Sequence, residues 1–292
     1  MKNIFIWVIF AILWSSASIA TKIGLQDAQP FVLADIRFIL AGIIMLVYAL
    51  FSGKKIRISS KEFIQLSIYG LLNVTIYLGT FVLAMKHLSA GIGSLAIATS
   101  PLFITVFSTI FLKKQSKLSF WIGLCLSLLG VFLAAYPLLQ ISYADEFGLV
   151  LILFSMVTYS IGTVYYASVN WSLERVVING WQVLLGGIFL MPITFIYFEP
   201  NSNNYTLNLW LSILWLVIPV SILAVNLWLY LLKIDTVKAS LWLFLCPIFG
   251  FIFSNILLGE PISWHTITGT AIVLLGLFIG QFDKIRKSVF KT

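Results

Sequence analysis

Apolar residues run along this chain in ten long blocks separated by short polar breaks, near 4–21, 31–51, 63–85, 89–112, 118–139, 147–168, 177–198, 208–232, 238–258 and 264–282. Each block is close to the ~20 apolar residues a helix needs to cross a hydrocarbon core. The breaks carry turn-forming and charged residues, such as Ser52-Gly53-Lys54-Lys55 and Glu199-Pro200-Asn201. The pattern predicts an all-α integral membrane protein with ten transmembrane helices. Composition supports it: 61% of the 292 residues are hydrophobic and 10% are charged, whereas soluble domains carry about 25% charged residues.

The chain also repeats itself. Displaced by 146 positions, Ser94–Leu133 falls on Ser240–Ile279 without a gap, and 13 of the 40 positions are identical. Pro101 meets Pro247, Phe107-Ser108 meets Phe253-Ser254, and Gly130 meets Gly276. At an offset of 144, Leu40, Gly42, Ile44 and Leu46 meet Leu184, Gly186, Ile188 and Leu190. Ten blocks divide into five and five, with halves expected at 1–142 and 143–292. Five is odd, so the second copy enters the membrane from the opposite face. The sequence therefore predicts two inverted five-helix repeats, the arrangement of alternating-access carriers.

Charge sets an expected orientation. With the N-terminus cytoplasmic, 15 of the 18 Lys and Arg residues fall on the cytoplasmic side, leaving Lys22, Arg37 and Lys86. By the positive-inside rule both termini are expected in the cytoplasm, in a multi-pass protein of a bacterial inner membrane. The net charge of +8 does not point to nucleic acid, because the basic residues are dispersed among short loops. Lys2, the first apolar block and Ser18-Ile19-Ala20 loosely fit a cleavable leader. The expectation is retention, since removal leaves nine helices and unequal halves. Cys125 and Cys246 lie deep in apolar blocks, which argues against a disulfide framework. His87 and His265 lie at block edges, so neither a metal nor a cofactor is expected.

These features resemble the EamA-type family of ten-helix carriers in the drug/metabolite transporter superfamily. Trp14-Ser15-Ser16-Ala17-Ser18-Ile19-Ala20-Thr21-Lys22 resembles the family's opening motif of Trp, small residues and a closing Lys. Arg37-Phe38 resembles its Arg-Phe pair, Ser100-Pro101-Leu102 and Cys246-Pro247-Ile248 its two small-Pro-apolar motifs, and Gly259-Glu260 its late turn. The resemblance covers nearly the whole chain. It implies a secondary transporter that exports small metabolites such as amino acids, or amphipathic xenobiotics. One departure stands out: Lys114 occupies the position equivalent to Glu260.

Candidate residues follow from polarity inside apolar blocks. Trp14, Ser15, Asn73, Tyr77, Ser100, Tyr159, Asn226 and Trp242 are expected to bind substrate near the midplane, with Lys22 at the end of the first helix. Asn and Tyr supply donors and acceptors without charge. Trp and Tyr faces stack on rings or hold cations. Ser and Thr in such helices also serve simply to satisfy backbone. Pro101 and Pro247 are expected as hinges, since each removes a backbone donor at matching places in the two halves. Asp35, Arg37 and Glu260 are expected at the external rim. The third to tenth blocks carry no charged residue in their central turns, which points to a passive facilitator, or to coupling through the rim residues Lys22, Asp35, Arg37, Lys86 and Glu260, around a neutral cavity suited to zwitterions or lipophilic cations. The glycines Gly123, Gly130, Gly269, Gly276 and Gly280 suggest close helix packing, conceivably between protomers. Expected partners are a small-molecule substrate and membrane lipid, with no nucleic acid, in a monomer or weak homodimer. Two other functions compete: a lipid-linked sugar flippase of the same superfamily, and an integral-membrane lipid transferase. The transferase lacks the paired His or acidic motifs that such chemistry needs.

Overall fold

The computed structural model describes residues 2–112, 118–140 and 144–289, and within them the protein is helical. Helix α1 (Lys2–Gly24) and α2 (Pro30–Phe51) form the first two crossings. The third is α3 (Ser60–Gly70), a π-helical stretch Leu71–Ile76 and α4 (Tyr77–His87). The fourth is broken into α5 (Ala90–Ile97) and α6 (Ser100–Leu112). Then come α7 (Leu118–Gln140), α8 (Glu146–Ser168) and α9 (Arg175–Ile196). The eighth crossing is α10 (Leu207–Trp215), a second π-helical stretch Leu216–Ala224 and α11 (Val225–Leu241). A 3₁₀ turn Trp242–Leu245 leads into α12 (Cys246–Leu258), and α13 (Trp264–Val289) ends the described chain. Seven crossings are long apolar helices; the other three contain the shorter apolar stretches Trp121–Ala134, Cys246–Leu258 and Trp264–Gly280.

Helix starts follow local chemistry. Ser59 and Glu62 form a reciprocal capping box at α3, Ser89 caps α5, and Asp145 Oδ1 accepts from Gly148 N at 2.7 Å to open α8. Such caps satisfy the orphan N–H groups of a first turn. One expected boundary shifts: α11 stays helical through the predicted break near 233–237. The chain nonetheless returns, because Trp228 stacks on Phe10 while Trp242 stacks on Trp7.

The inverted relation of the halves is visible where α7 crosses α13. A Cβ on Gly130 would stand 2.7 Å from Gly269 O, and one on Gly276 would stand 2.7 Å from Gly123 O. The 146-residue shift that carries Gly123 to Gly269 also carries Gly130 to Gly276, so each close pair maps onto the other. Ser127 Oγ donates to Val273 O at 3.3 Å, and these too are equivalent positions. Equivalent helices thus meet antiparallel on a pseudo-two-fold axis. The glycine stripe packs within one chain, which replaces the expectation of a contact between protomers. Helices α2 and α9, also equivalents, pack closely where Gly42 meets Leu184.

The two π-helical stretches are equivalents as well. Shifted by 146 residues, Leu71–Ile76 falls on 217–222, inside Leu216–Ala224. Matched interruptions in the two halves of a transporter mark its binding region, and π-helical turns gather at functional sites. The sequence pointed to the prolines instead. Pro101 and Pro247 each sit second in the half-helix after a break, α6 and α12. There a missing N–H is tolerated.

Candidate functional site

Where the halves meet, five rings pack together. Trp14 lies 6.0 Å from Tyr159 and 5.9 Å from Trp228, ring centroid to centroid. Tyr77 lies 4.8 Å from Tyr159, and Phe10 stacks on Trp228 at 5.5 Å. Phe10, Trp14 and Tyr77 come from the first half; Tyr159 and Trp228 come from the second. All five are buried. Tilted and stacked rings of this kind attract one another and offer faces to an aromatic guest. The sequence brought Trp14, Tyr77 and Tyr159 forward but missed Phe10 and Trp228. Phe10 precedes Trp14 by one helical turn, a spacing that places both on one face.

A polar thread runs beside the rings. Arg37 Nε donates to Ser221 Oγ at 2.9 Å. Ser221 O accepts from Asn179 Nδ2 at 2.9 Å. Asn179 Oδ1 accepts from Gln182 Nε2 at 3.0 Å, and Gln182 Oε1 accepts from Asn73 Nδ2 at 3.4 Å. The thread joins both π-helical stretches, since Asn73 lies in one and Ser221 in the other. Asn179 and Gln182 escaped the sequence reading, although an amide pair three residues apart in an apolar block is itself a signal. The oxygen Asn73 Oδ1 meets no hydrogen-bond partner among the described residues.

Arg37 departs most from expectation. It was placed at the external rim, yet it is 2% exposed. Its long side chain reaches from α2 across to the middle of the eighth crossing. A charge at bilayer depth is unfavourable by at least ~2.5–3.5 kcal/mol and is retained where it has work to do. The protein's centre is therefore not neutral: it carries a fixed positive charge. Asp35, two residues earlier, instead takes a hydrogen bond from Thr194 Oγ1 of α9.

The remaining candidates sort by position. Lys22 Nζ donates to Met85 O at 3.0 Å and Leu88 O at 2.7 Å, capping the end of α4. Glu260 is buried; its carboxylate accepts from Ala90 N at 2.6 Å and Gly91 N at 3.0 Å, holding the start of α5. Both residues thus pin the face opposite the Lys54–Lys55 loop. Lys114, the counterpart of Glu260, lies outside the described residues. Ser15 Oγ donates to Ile12 O within its own helix. Ser100 packs α6 against α8, its oxygen accepting from Ser160. Trp242 stacks on Trp7 at 5.4 Å, one turn of α1 before Phe10 of the ring cluster. Asn226 donates to Ile222 O and lines a groove of about 810 Å³ between α1, α2, α9 and α11, with Met45, Lys54, Glu174 and Arg175.

Ten helical crossings in two inverted sets, meeting at a buried ring cluster, define an all-α integral membrane protein with the architecture found in transporters. The chain belongs to the EamA-like transporter family, whose model matches residues 1–136 and again 146–280. An uncharacterized transporter of Archaeoglobus fulgidus is 30% identical over 94% of this chain and 97% of its own length. The uncharacterized inner membrane transporter YedA of Escherichia coli is 26% identical over 92% of this chain and 85% of its own. A crystal structure with 20% sequence identity superposes with a TM-score of 0.71 over 97% of both chains, which supports the fold.

Proposed function

We propose that this protein is a secondary transporter that exports small metabolites, such as amino acids or amphipathic xenobiotics, by alternating access between its halves. The observation that carries the reading is the ring cluster of Phe10, Trp14, Tyr77, Tyr159 and Trp228, drawn from both halves and flanked by matched π-helical interruptions. Rocking one half against the other exposes this centre first to one face, then to the other. Glu260 and Lys22 hold the external face shut. Trp7 and Trp242 stand at the other end. The Lys54–Lys55 face is cytoplasmic in this reading, with both termini on that side of the inner membrane and the halves dividing near 142. Substrate contacts come from Trp14, Tyr77, Tyr159 and Asn73.

Counterflow in proteoliposomes with no imposed pH gradient tests this. A panel of labelled amino acids and aromatic metabolites is expected to yield at least one exchanged solute. Trp14→Ala and Tyr159→Ala are each expected to slow that exchange by about tenfold or more, as loss of a buried aromatic anchor does. Asn226→Ala, in the side groove, is expected to leave it within about twofold. Equal exchange by wild type and both ring variants, all folded, contradicts the assignment.

A further inference from the structure

The established reading leaves one group unexplained: a guanidinium buried between the halves without a counter-ion. Arginine has five N–H donors and stays charged. Among the described residues, Arg37 uses Nε on Ser221, and its two terminal NH₂ groups take no side-chain or backbone acceptor. The two ion pairs found among the described residues are Lys54–Glu174 and His87–Asp145, both remote from it. Neither buried acid pairs with it: Asp35 accepts from Thr194 through Oδ2 while its Oδ1 has no partner among the described residues, and Glu260 is held by the amides of Ala90 and Gly91. Arg37 faces Ser221 on the eighth crossing, and its guanidinium lies 5.5 Å from the Phe38 ring. The polar thread that starts at Arg37 ends at Asn73, four residues before Tyr77 of the ring cluster, so the charge is linked to the element that carries one of the rings.

We infer that Arg37 receives a carboxylate of the transported solute, and that this protein's cargo is a carboxylate carried on an aromatic or apolar body. A planar guanidinium fits a carboxylate with two parallel hydrogen bonds. A buried cation without a partner opposes entry of a second cation, so lipophilic amines are excluded rather than favoured. The unpartnered Asn73 Oδ1, at the other end of the thread that begins at Arg37, can accept from an amine if the solute carries one. Free carboxylates and amino acids share the recognised chemistry and differ only in that second contact. The inference deepens the transport reading and rests on it.

Four solutes with a common phenyl body separate the possibilities: phenylacetate, phenylalanine, phenylacetamide and phenethylamine. Binding is read by thermal stabilisation of the purified full-length protein, then by counterflow. The carboxylate-bearing pair, or one member of it, is expected to bind about tenfold or more tightly than the amide or the amine, the scale of a hydrogen bond to a charged group. Phenylacetate alone identifies a monoanion site; phenylalanine alone identifies a zwitterion site that also uses Asn73. Arg37→Gln is expected to abolish the preference for the carboxylate, whereas Arg37→Lys keeps it at reduced affinity. If the glutamine variant does not fold, Ser221→Ala, which frees the guanidinium without removing it, is expected to keep the preference. Equal binding of all four solutes, tighter binding of the amine, or no binding of either carboxylate overturns the inference. The transport reading stands or falls separately, on whether the centre is reached from both faces.

Discussion

Replacing Gly130 and Gly269 together by valine is expected to destabilise the protein by about 2–6 kcal/mol, taking ~1–3 kcal/mol for each overpacked site. The clash is with backbone. A Cβ at Gly130 meets Gly269 O and Val273 N at 2.7 Å, and a Cβ at Gly269 meets Gly130 O and Ala134 N at 2.6 Å. Neither helix can yield by turning a side chain, so α7 and α13 must separate. Membrane helices gain little from the hydrophobic effect on meeting each other, and close backbone approach supplies much of their attachment. Gly79→Ala is the control. Its nearest neighbour is the flexible tip of Leu190 at 3.3 Å, so the cost there is small. Size-exclusion chromatography after heating reads both. Equal melting of the double variant and wild type would show that the two halves are not clamped at this crossing.

Glu260→Ala is expected to release the external face. Its carboxylate satisfies two amides of the α5 first turn, and charge-assisted bonds of this kind contribute about 1.5–3 kcal/mol each. Their loss tips the balance toward the externally open shape by a factor of at least about a hundred. Ser18 and Ser94 lie beneath this seal, their hydroxyls 2.6 Å apart. A cysteine at Ser18, in protein whose Cys125 and Cys246 have been replaced, is therefore expected to react with an impermeant maleimide at least tenfold faster from the external face once Glu260 is changed. Unchanged labelling would show that the seal is held elsewhere.

The membrane architecture was legible because lipid leaves few options. Backbone groups in hydrocarbon must be satisfied within the chain, so twenty apolar residues read as a helix. The duplication was legible because its two copies align without a gap. The π-helical stretches were not, since Leu71–Ile76 and Leu216–Ala224 contain no motif that separates a five-residue hydrogen-bond step from a four-residue one. Trp14, Tyr77 and Tyr159 emerged as polar-capable rings in apolar blocks. Trp228 was not singled out, because one sequence does not tell which helix face turns inward. Arg37 was misplaced for a related reason: its Cα is near the helix start, but its side chain spans the remaining distance to Ser221. Trp242 entered as a mid-block ring, and its partner Trp7 was not legible, because the return of the chain to α1 is a tertiary feature.

Alternating exposure of one shared centre is most directly tested by a single cysteine at Asn73, in protein lacking Cys125 and Cys246. Impermeant maleimide applied to vesicles of each orientation is expected to label it from both faces. A crosslink between cysteines at Ala90 and Glu260, which fixes the contact now made by the carboxylate, is expected to block labelling from the external face alone. Labelling confined to one face in the uncrosslinked protein would contradict the account.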